Sequence, residues 1–391
     1  RVHIHTFHSF CNEIIQEHQE SFDNPTLELN AASDLDQFQV LELMLDELPS
    51  DHPLKRLQGM VYYDAQRMKK LYEIMKKEGW DTDFMKAKID SYVEELPGRD
   101  GFYYKTNYKG NKAGDPNMNK IGPVLDSMKK LKAAVELYPE FNARMLNTGL
   151  YDFNDMINWV INLFDHEPHI LQEYQEQMQF ILVDEFQDTN GAQLRILNQL
   201  TDHLEEPNVF AVGDDDQSIY RFQGANLENI ANYKQRYKEA LTQITLTENY
   251  RSTQDILDSA MAVINHNESR IVHGAEKHLK ASHPERQKES IKPKIIEAAN
   301  PHQETVAVGN RIRKLIEKGV PGHEIAVLYR SHRDAVSLTE YLMHLGIKLQ
   351  LVKRYDLFET SLFRKLFRIM EYLKMENDRP FSGDGILFEI L

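Results

Sequence analysis

The chain has 391 residues, 41% of them apolar and 27% charged, with 61 acidic against 46 basic residues and a net charge of −15. At roughly 100–200 residues per domain this suggests two or three domains. No apolar run approaches the ~18 residues of a membrane span, and the single cysteine, Cys11, excludes a disulfide scaffold and an all-cysteine zinc site. Residues 1–10 (RVHIHTFHSF) are too polar for the apolar region of a signal peptide, so a reducing, cytoplasmic setting is the expectation. The opening Arg1, in place of methionine, suggests a cut N-terminus.

In chain order, Val2 to Thr6 reads as a short strand. FHSFCNEIIQEHQ then reads as a helix, because Phe7, Phe10, Cys11, Ile14 and Ile15 fall at spacings of three and four. Thr6 or Ser9 is the candidate cap. Residues 33–96 read as three helices, residues 97–123 as a long loop with three prolines, and helix resumes at VLDSMKKLKAAVELYPEFNARML. Charge divides this half of the chain. Residues 2–54 hold no Lys or Arg and 11 acids, whereas residues 55–132 hold 17 basic and 11 acidic residues. That local excess of +6 is either a module with its own anionic partner or a solvated helical surface. Within it, FYYKTNYKGNK (102–112) interleaves aromatic rings with Lys105, Lys109 and Lys112.

Near residue 150 the texture changes. QFILVDE (179–185), NVFAVGDDD (208–216), QITLTENY (243–250) and EIAVLYRS (324–331) are short apolar strands with helical stretches between them. This alternation implies α/β architecture with a parallel sheet covered on both faces. Residues 281–293 read as a linker. PKIIEAANP and ETVAVGNRIRKLIEKG then read as the strand and helix of a second α/β unit.

Three segments carry candidate chemistry. In FILVDEFQDTN (180–190), Asp184 and Glu185 fall at a strand's carboxyl end, where parallel sheets bind ligands. One carboxylate there suits Mg²⁺, directly or through water, and its neighbour can activate an attacking water. Alternatively, the acids mark only the chain's return to solvent. In VFAVGDDDQSIYRFQGA (209–225), Gly213 permits a sharp turn, and Gln217 can touch a terminal phosphate and a water together. Tyr220 and Phe222 either stack on unpaired bases or pack a core. In LTENYRST (246–253), Arg251 suits phosphoryl transfer and Tyr250 can stack on a purine. The alternative is a helix cap by Ser252 or Thr253, with Arg251 in a surface ion pair.

Taken in this order, the segments make the chain resemble the UvrD/Rep/PcrA-like superfamily 1 DNA helicases. TFHSF (6–10) resembles motif Ib of that family, YDFNDM (151–156) its DFDDL-type segment, ILVDEFQDTN motif II, VGDDDQSIYRFQGA motif III, ENYRST motif IV, and LYRSH (328–332) the LYRTN-type segment. The resemblance implies a RecA-like P-loop NTPase fold. Residues 1–28 and 151–285 would form motor domain 1A, residues 29–150 a helical insertion 1B, and residues 286–391 the start of motor domain 2A, entering 2B at the end. It implies ATP and Mg²⁺ as cofactors, with single-stranded DNA and a single-strand/duplex junction as partners and no membrane. ATP-driven closing and reopening of two motor domains would move the protein 3′ to 5′ along DNA in repair or recombination. Asp184 would bind Mg²⁺, Glu185 would activate water, Gln217 and Arg251 would address the γ-phosphate, and Tyr250 would stack on adenine. Phe153, Tyr220 and Phe222 would meet DNA bases, while Thr6, His8, Arg330 and His332 would line the DNA path.

The departures are as informative. The sequence holds no GxxxxGK[ST] loop, the Walker A motif, and motifs V and VI are not visible. Residues 1–391 therefore read as an internal piece of a longer helicase that, alone, turns over no ATP. Motif III reads RFQGA where relatives often carry a tryptophan and a basic residue; Phe222 keeps the ring and Gln223 loses the charge. Three other readings stand beside this one: a helicase-like, non-catalytic DNA-binding subunit; the motor part of a helicase–nuclease; and an unrelated α/β hydrolase using Asp184 and Glu185.

Overall fold

Short polar side chains set several of the helix starts. The computed structural model describes residues 2–22, 29–55, 61–107, 110–219, 227–238, 240–267, 277–351, 361–379 and 386–387. Helix α1 (Phe7–Glu17) starts where the Thr6 hydroxyl accepts the Ser9 backbone N–H and the Ser9 side chain answers the Thr6 N–H. Ser33 and Asp36 do the same for α2 (Asp34–Glu47). The strand expected over Val2–Thr6 is absent: the segment is extended without a ladder partner among the described residues, and Val2 and Ile4 are exposed.

Strand β1 (Asn30–Ala31), α2, α3 (Val61–Glu78), α4 (Thr82–Glu95), α5 (Met118–Glu136), α6 (Tyr138–Asn147) and β2 (Leu150–Tyr151) follow. β1 and β2 pair in parallel, Asn30 opposite Leu150, so the chain enters and leaves this helical segment side by side. The segment has its own core, which includes Leu41, Met44, Met68, Tyr72, Met75, Val135 and Phe141. At its centre the buried Tyr72 hydroxyl donates to the Ala134 carbonyl at 2.7 Å.

The expected loop over 97–123 is shorter than the sequence suggested. Helix α5 begins at Met118 and carries Pro123 inside it. Residues 102–117 close into a hairpin-like turn, in which Tyr103 bridges Pro116, Tyr104 N–H donates to the Asp115 carbonyl, and Asn117 N–H donates to the Phe102 carbonyl. Gly101, Gly110 and Gly114 adopt positive φ there, which is why the stretch reads as loop from composition alone.

Beyond β2 come α7 (Phe153–His166), α8 (Pro168–Gln177), β3 (Ile181–Val183), α9 (Gly191–Thr201), β4 (Val209–Ala211), α10 (Leu227–Arg236), β5 (Glu248–Asn249), α11 (Gln254–Ile264) and β6 (Lys280–Ala281). A second core joins Phe10, Cys11 and Ile14 of α1 to Ile157, Val160, Ile161 and Phe164 of α7 and Ile196 of α9. β3 and β4 pair in parallel, Ile181 opposite Val209 and Val183 opposite Ala211. Val183 packs with Phe186 and Leu197, while Phe180, Leu182 and Phe210 are exposed. β5 pairs in parallel with β6, Glu248 opposite Lys280. Among the described residues the architecture is thus helix-rich, with three two-stranded parallel pairings.

The chain divides into two compact units, Arg1–Ile291 and Lys292–Leu391. In the second, α12 (Pro301–Glu317) packs on α13 (His332–His344). A Cβ on Gly309 would stand 2.5 Å from the Tyr341 ring, so only glycine allows this approach. Helix α14 (Ser361–Asp378) follows. The strands expected at PKIIEAANP and over 324–331 form no ladder among the described residues; Glu324 ends a 3₁₀ turn and Pro301 begins α12. No described helix is long and apolar enough to cross a membrane.

Candidate functional site

β3 ends in Asp184 and Glu185, both exposed. Glu185 has φ 50° and ψ 44°, and it is the one non-glycine residue with positive φ among those described. That left-handed conformation costs a residue with a side chain on the order of 1 kcal/mol or more. It breaks the strand and turns the chain into the short 3₁₀ turn Phe186–Asp188. Asp184 Oδ1 accepts the Glu185 N–H at 3.0 Å. Both acids offer hard oxygen ligands at the carboxyl end of a parallel strand, which suits Mg²⁺.

The carboxylate of Glu185 is held from the side. Its Oε2 accepts Gln187 Nε2 at 2.6 Å, and Gln187 is buried. Gln187 Oε1 accepts the Asp214 N–H at 3.0 Å, and Asp214 Oδ2 accepts Gln217 Nε2 at 2.7 Å. Four groups thus run in one chain from Glu185 to Gln217, the two residues singled out from separate motifs. Phe186 N–H donates to the Val212 carbonyl and Val212 N–H to the Val183 carbonyl, tying the two strand ends together beneath them. Nearby, Asp188 is pushed above the usual carboxylate range, first by burial and then by the charge of Glu185. Its Oδ1 has no hydrogen-bond partner among the described residues.

Gly213 serves this arrangement differently from the expected sharp turn. Its φ is not positive. Instead, a Cβ there would meet Gln187 Oε1 at 2.7 Å and the Gln187 backbone nitrogen at 3.3 Å. Glycine is needed for the close approach of two backbones.

Tyr250 and Arg251 lie on a turn after β5. Asn249 Oδ1 accepts both the Arg251 N–H at 3.0 Å and the Ser252 N–H at 2.8 Å. Of the alternative cap residues, Thr253 does occupy the cap position of α11, but without a side-chain bond. Arg251 is exposed and makes no ion pair among the described residues. Tyr250 is 59% exposed, and its hydroxyl donates to Glu248 at 2.6 Å. That bond, with the charge of Glu248, pushes the phenol up.

A second group forms where α1 and α7 begin. His8 meets Phe153 edge to face, with ring centroids 6.4 Å apart. Phe153 is 58% exposed just after the Asp152 cap. His8 Nε2 is buried without a hydrogen-bond partner among the described residues. Burial lowers the imidazole pKa, opposed by the charge of Asp152. The Thr6 hydroxyl is engaged in its cap. Tyr220 and Phe222 lie outside the described residues. Arg330 is exposed and His332 opens α13, both in the second unit.

Two contributors carry no signal that the sequence reading used. Gln187 lies inside ILVDEFQDTN, but nothing in its residue type separates a buried linker from a surface amide. Lys277 lies outside every motif, in EKHLKAS (276–282), and its ammonium reaches Asp214 at 2.5 Å, Asp215 at 2.6 Å and Asp216 at 2.8 Å.

Comparison with known proteins gives one consistent answer. Residues 1–238 match the family model described as UvrD/REP helicase N-terminal domain, and residues 244–381 match UvrD-like helicase C-terminal domain. The chain is 34% identical over 245 residues to "ATP-dependent DNA helicase PcrA" of Leuconostoc citreum, covering 62% of this chain and 31% of that protein. It is 33% identical over 241 residues to the protein of the same name from Bacillus subtilis, covering 61% and 31%. It is also 33% identical over 282 residues to "ATP-dependent DNA helicase UvrD1" of Mycobacterium bovis, covering 71% and 35%. The chain spans about a third of the length of these curated relatives.

Proposed function

The chain belongs to the UvrD-like helicase family, and from that premise we propose that it forms part of an ATP-driven DNA helicase moving 3′ to 5′ on single-stranded DNA. One observation carries this reading: Glu185, in a left-handed conformation at a strand end, is linked to Gln217 through Gln187 and Asp214. A carboxylate fixed this way can hold the proton of a water while a carboxamide at the other end reads a terminal phosphate. The RecA-like α/β fold follows from the family, and residues 29–150 take the place of its helical insertion.

The residues present fit part of a nucleotide site. Asp184 would hold Mg²⁺, Gln217 and Arg251 the γ-phosphate, and Tyr250 the base. When bound, the nucleotide supplies the phosphoanhydride whose cleavage drives movement. The sequence contains no GxxxxGK[ST] loop, so residues 1–391 by themselves are expected to hydrolyse no ATP. His8 and Phe153, with Thr6, Tyr220, Phe222, Arg330 and His332, would form the DNA path. A single-strand/duplex junction would be the working substrate.

The test is hydrolysis and unwinding by the full-length protein. We expect single-stranded DNA to stimulate ATP hydrolysis, and duplexes with a 3′ single-stranded tail to be opened while those with a 5′ tail are not. Tight DNA binding without stimulated hydrolysis would instead identify a non-catalytic DNA-binding subunit.

A further inference from the structure

We propose that Lys277 is a positioning residue of the hydrolytic site, its ammonium filling a cage of Asp214, Asp215 and Asp216 so that Asp214 is fixed between Gln217 and Gln187. This rests on the reading of Glu185 and Gln217 as the hydrolytic pair and adds a residue from outside their motifs.

The geometry is specific. Asp214 bonds four neighbours, Gln187, Gln217, Lys277 and Asp216. Its N–H goes to Gln187 Oε1 at 3.0 Å, its Oδ2 receives Gln217 Nε2 at 2.7 Å, and its Oδ1 receives Lys277 Nζ at 2.5 Å and the Asp216 N–H at 3.1 Å. The Lys277 side chain is 11% exposed, and those of Asp215 and Asp216 are 6% and 12% exposed. Three carboxylate oxygens lie within 4.8 Å of one another. Such a cluster would ordinarily call for a metal ion; here the ammonium occupies it.

Burial alone would raise the Asp214 carboxyl, but the hydrogen bonds from Lys277 and Gln217 more than offset it and hold it below the usual range. Burial likewise opposes the Lys277 charge, and the hydrogen bonds it donates to the three aspartates overcome it and push its pKa up. The Lys277–Asp214 pair therefore stays charged at neutral pH. The ammonium also makes a tether. Lys277 lies just ahead of β6, which pairs with β5, and the Asn249 turn bearing Tyr250 and Arg251 follows β5. One side chain thus joins the Gln217 segment to the strand pair that carries the other two candidate nucleotide residues.

Loss of the cation has two separable consequences. Asp214 loses the bond that orients it, so Gln217 and Glu185 lose their common anchor. Three neighbouring carboxylates also lose the cation they share, which costs stability. The test uses three variants of the full-length protein: Lys277→Met, Lys277→Arg, and Lys277→Met combined with Asp215→Asn and Asp216→Asn. The combined variant removes the excess charge but not the loss of orientation, so it also keeps the test valid if Lys277→Met alone does not fold.

We expect Lys277→Met to lower kcat for DNA-stimulated ATP hydrolysis by about tenfold to a hundredfold with KM for ATP within about twofold. Lys277→Arg should recover part of the loss. The combined variant should melt near the wild type and still show the low kcat. In Lys277→Met, millimolar Ca²⁺ should raise the melting midpoint by taking the vacated cage, with the wild type unmoved. Wild-type kcat in Lys277→Met, or full recovery of kcat in the combined variant, would overturn the inference. So would a parallel loss of kcat and ATP affinity unrelieved by arginine, which would assign Lys277 to folding alone. Absence of DNA-stimulated hydrolysis in the wild type would overturn the functional reading instead.

Discussion

Glu185 stores its strain where the chemistry is proposed to occur. A left-handed glutamate at a strand end persists only when its surroundings over-determine it, and here Gln187 and the Phe186–Val212 bond do so. Gly213 is the tightest point of that surrounding. Gly213→Ala should force the Gln187 amide aside, lower ATPase kcat by at least about tenfold, and cost about 1–3 kcal/mol from overpacking; parallel hydrolysis and melting assays check both. Unchanged kcat in a folded variant would show that the close approach of Gly213 to Gln187 is not needed for turnover. His8 gives a pH dependence. Its folded pKa lies below the ordinary 6.5 because burial disfavours the charged ring. The unfolded chain therefore binds the proton first, and the stability that neutral His8 contributes is lost as pH falls from about 6.5 through the lower folded value. Melting of His8→Asn between pH 7 and 5 should be flatter than that of the wild type. Residue type and motif order single out Asp184, Glu185, Gln217 and Arg251 as candidates from the sequence, and the fold links Glu185 to Gln217 through Gln187 and Asp214. Gln187 and Lys277 were not legible, because their roles depend on which backbone they meet across the fold.

At the scale of elements, the helical segment between β1 and β2 is tied to the rest of its unit through the end of α3. Lys76 is buried and pairs with Asp155 at 2.7 Å, and Asn158 Nδ2 donates to the Lys76 carbonyl at 2.8 Å. A Cβ on Gly191, the first residue of α9, would lie 2.8 Å from the Glu78 carbonyl. α9 follows directly from the Glu185 turn, so this helical segment leans on the helix that continues from the candidate site. The periodicity of apolar residues made these helices readable. The start of α5 was hidden by Pro123, which composition places in a loop, although a proline in the second turn of a helix sacrifices only one backbone bond. The 102–117 turn shows the same limit: its aromatics Phe102, Tyr103 and Tyr104 are half-buried rather than free. Lys105 is paired with Asp100 at 2.9 Å. Lys112 is exposed and makes no side-chain ion pair among the described residues. Lys112→Ala should therefore make the log–log salt slope of single-stranded DNA binding shallower by about 0.7, whereas Lys105→Ala should change it much less. Titration with fluorescent oligonucleotides at several salt concentrations checks this, and equal slopes for all three proteins would remove the turn from the DNA path.

At the scale of the molecule, a chain of net charge −15 is proposed to bind a polyanion. Overall charge is a poor guide to a local contact: residues 55–132, in the helical segment between β1 and β2, carry 17 basic and 11 acidic residues within this acidic chain. The α/β character of the second half was readable from its apolar runs. The strands are shorter than those runs because only three residues each of β3 and β4 find a partner among the described residues. The linked Glu185 and Gln217 are proposed to perform ATP hydrolysis, with Glu185 taking the proton of the water. Glu185→Gln in the full-length protein tests it most directly, because the amide keeps the size and one acceptor of the carboxylate but cannot accept that proton at neutral pH. A group acting only in the transition state affects turnover without affecting ground-state binding. Measured side by side, ATP affinity should stay near the wild-type value while kcat falls by roughly 10²-fold or more; a kcat close to wild type, or an equal loss of affinity and turnover, would contradict the account.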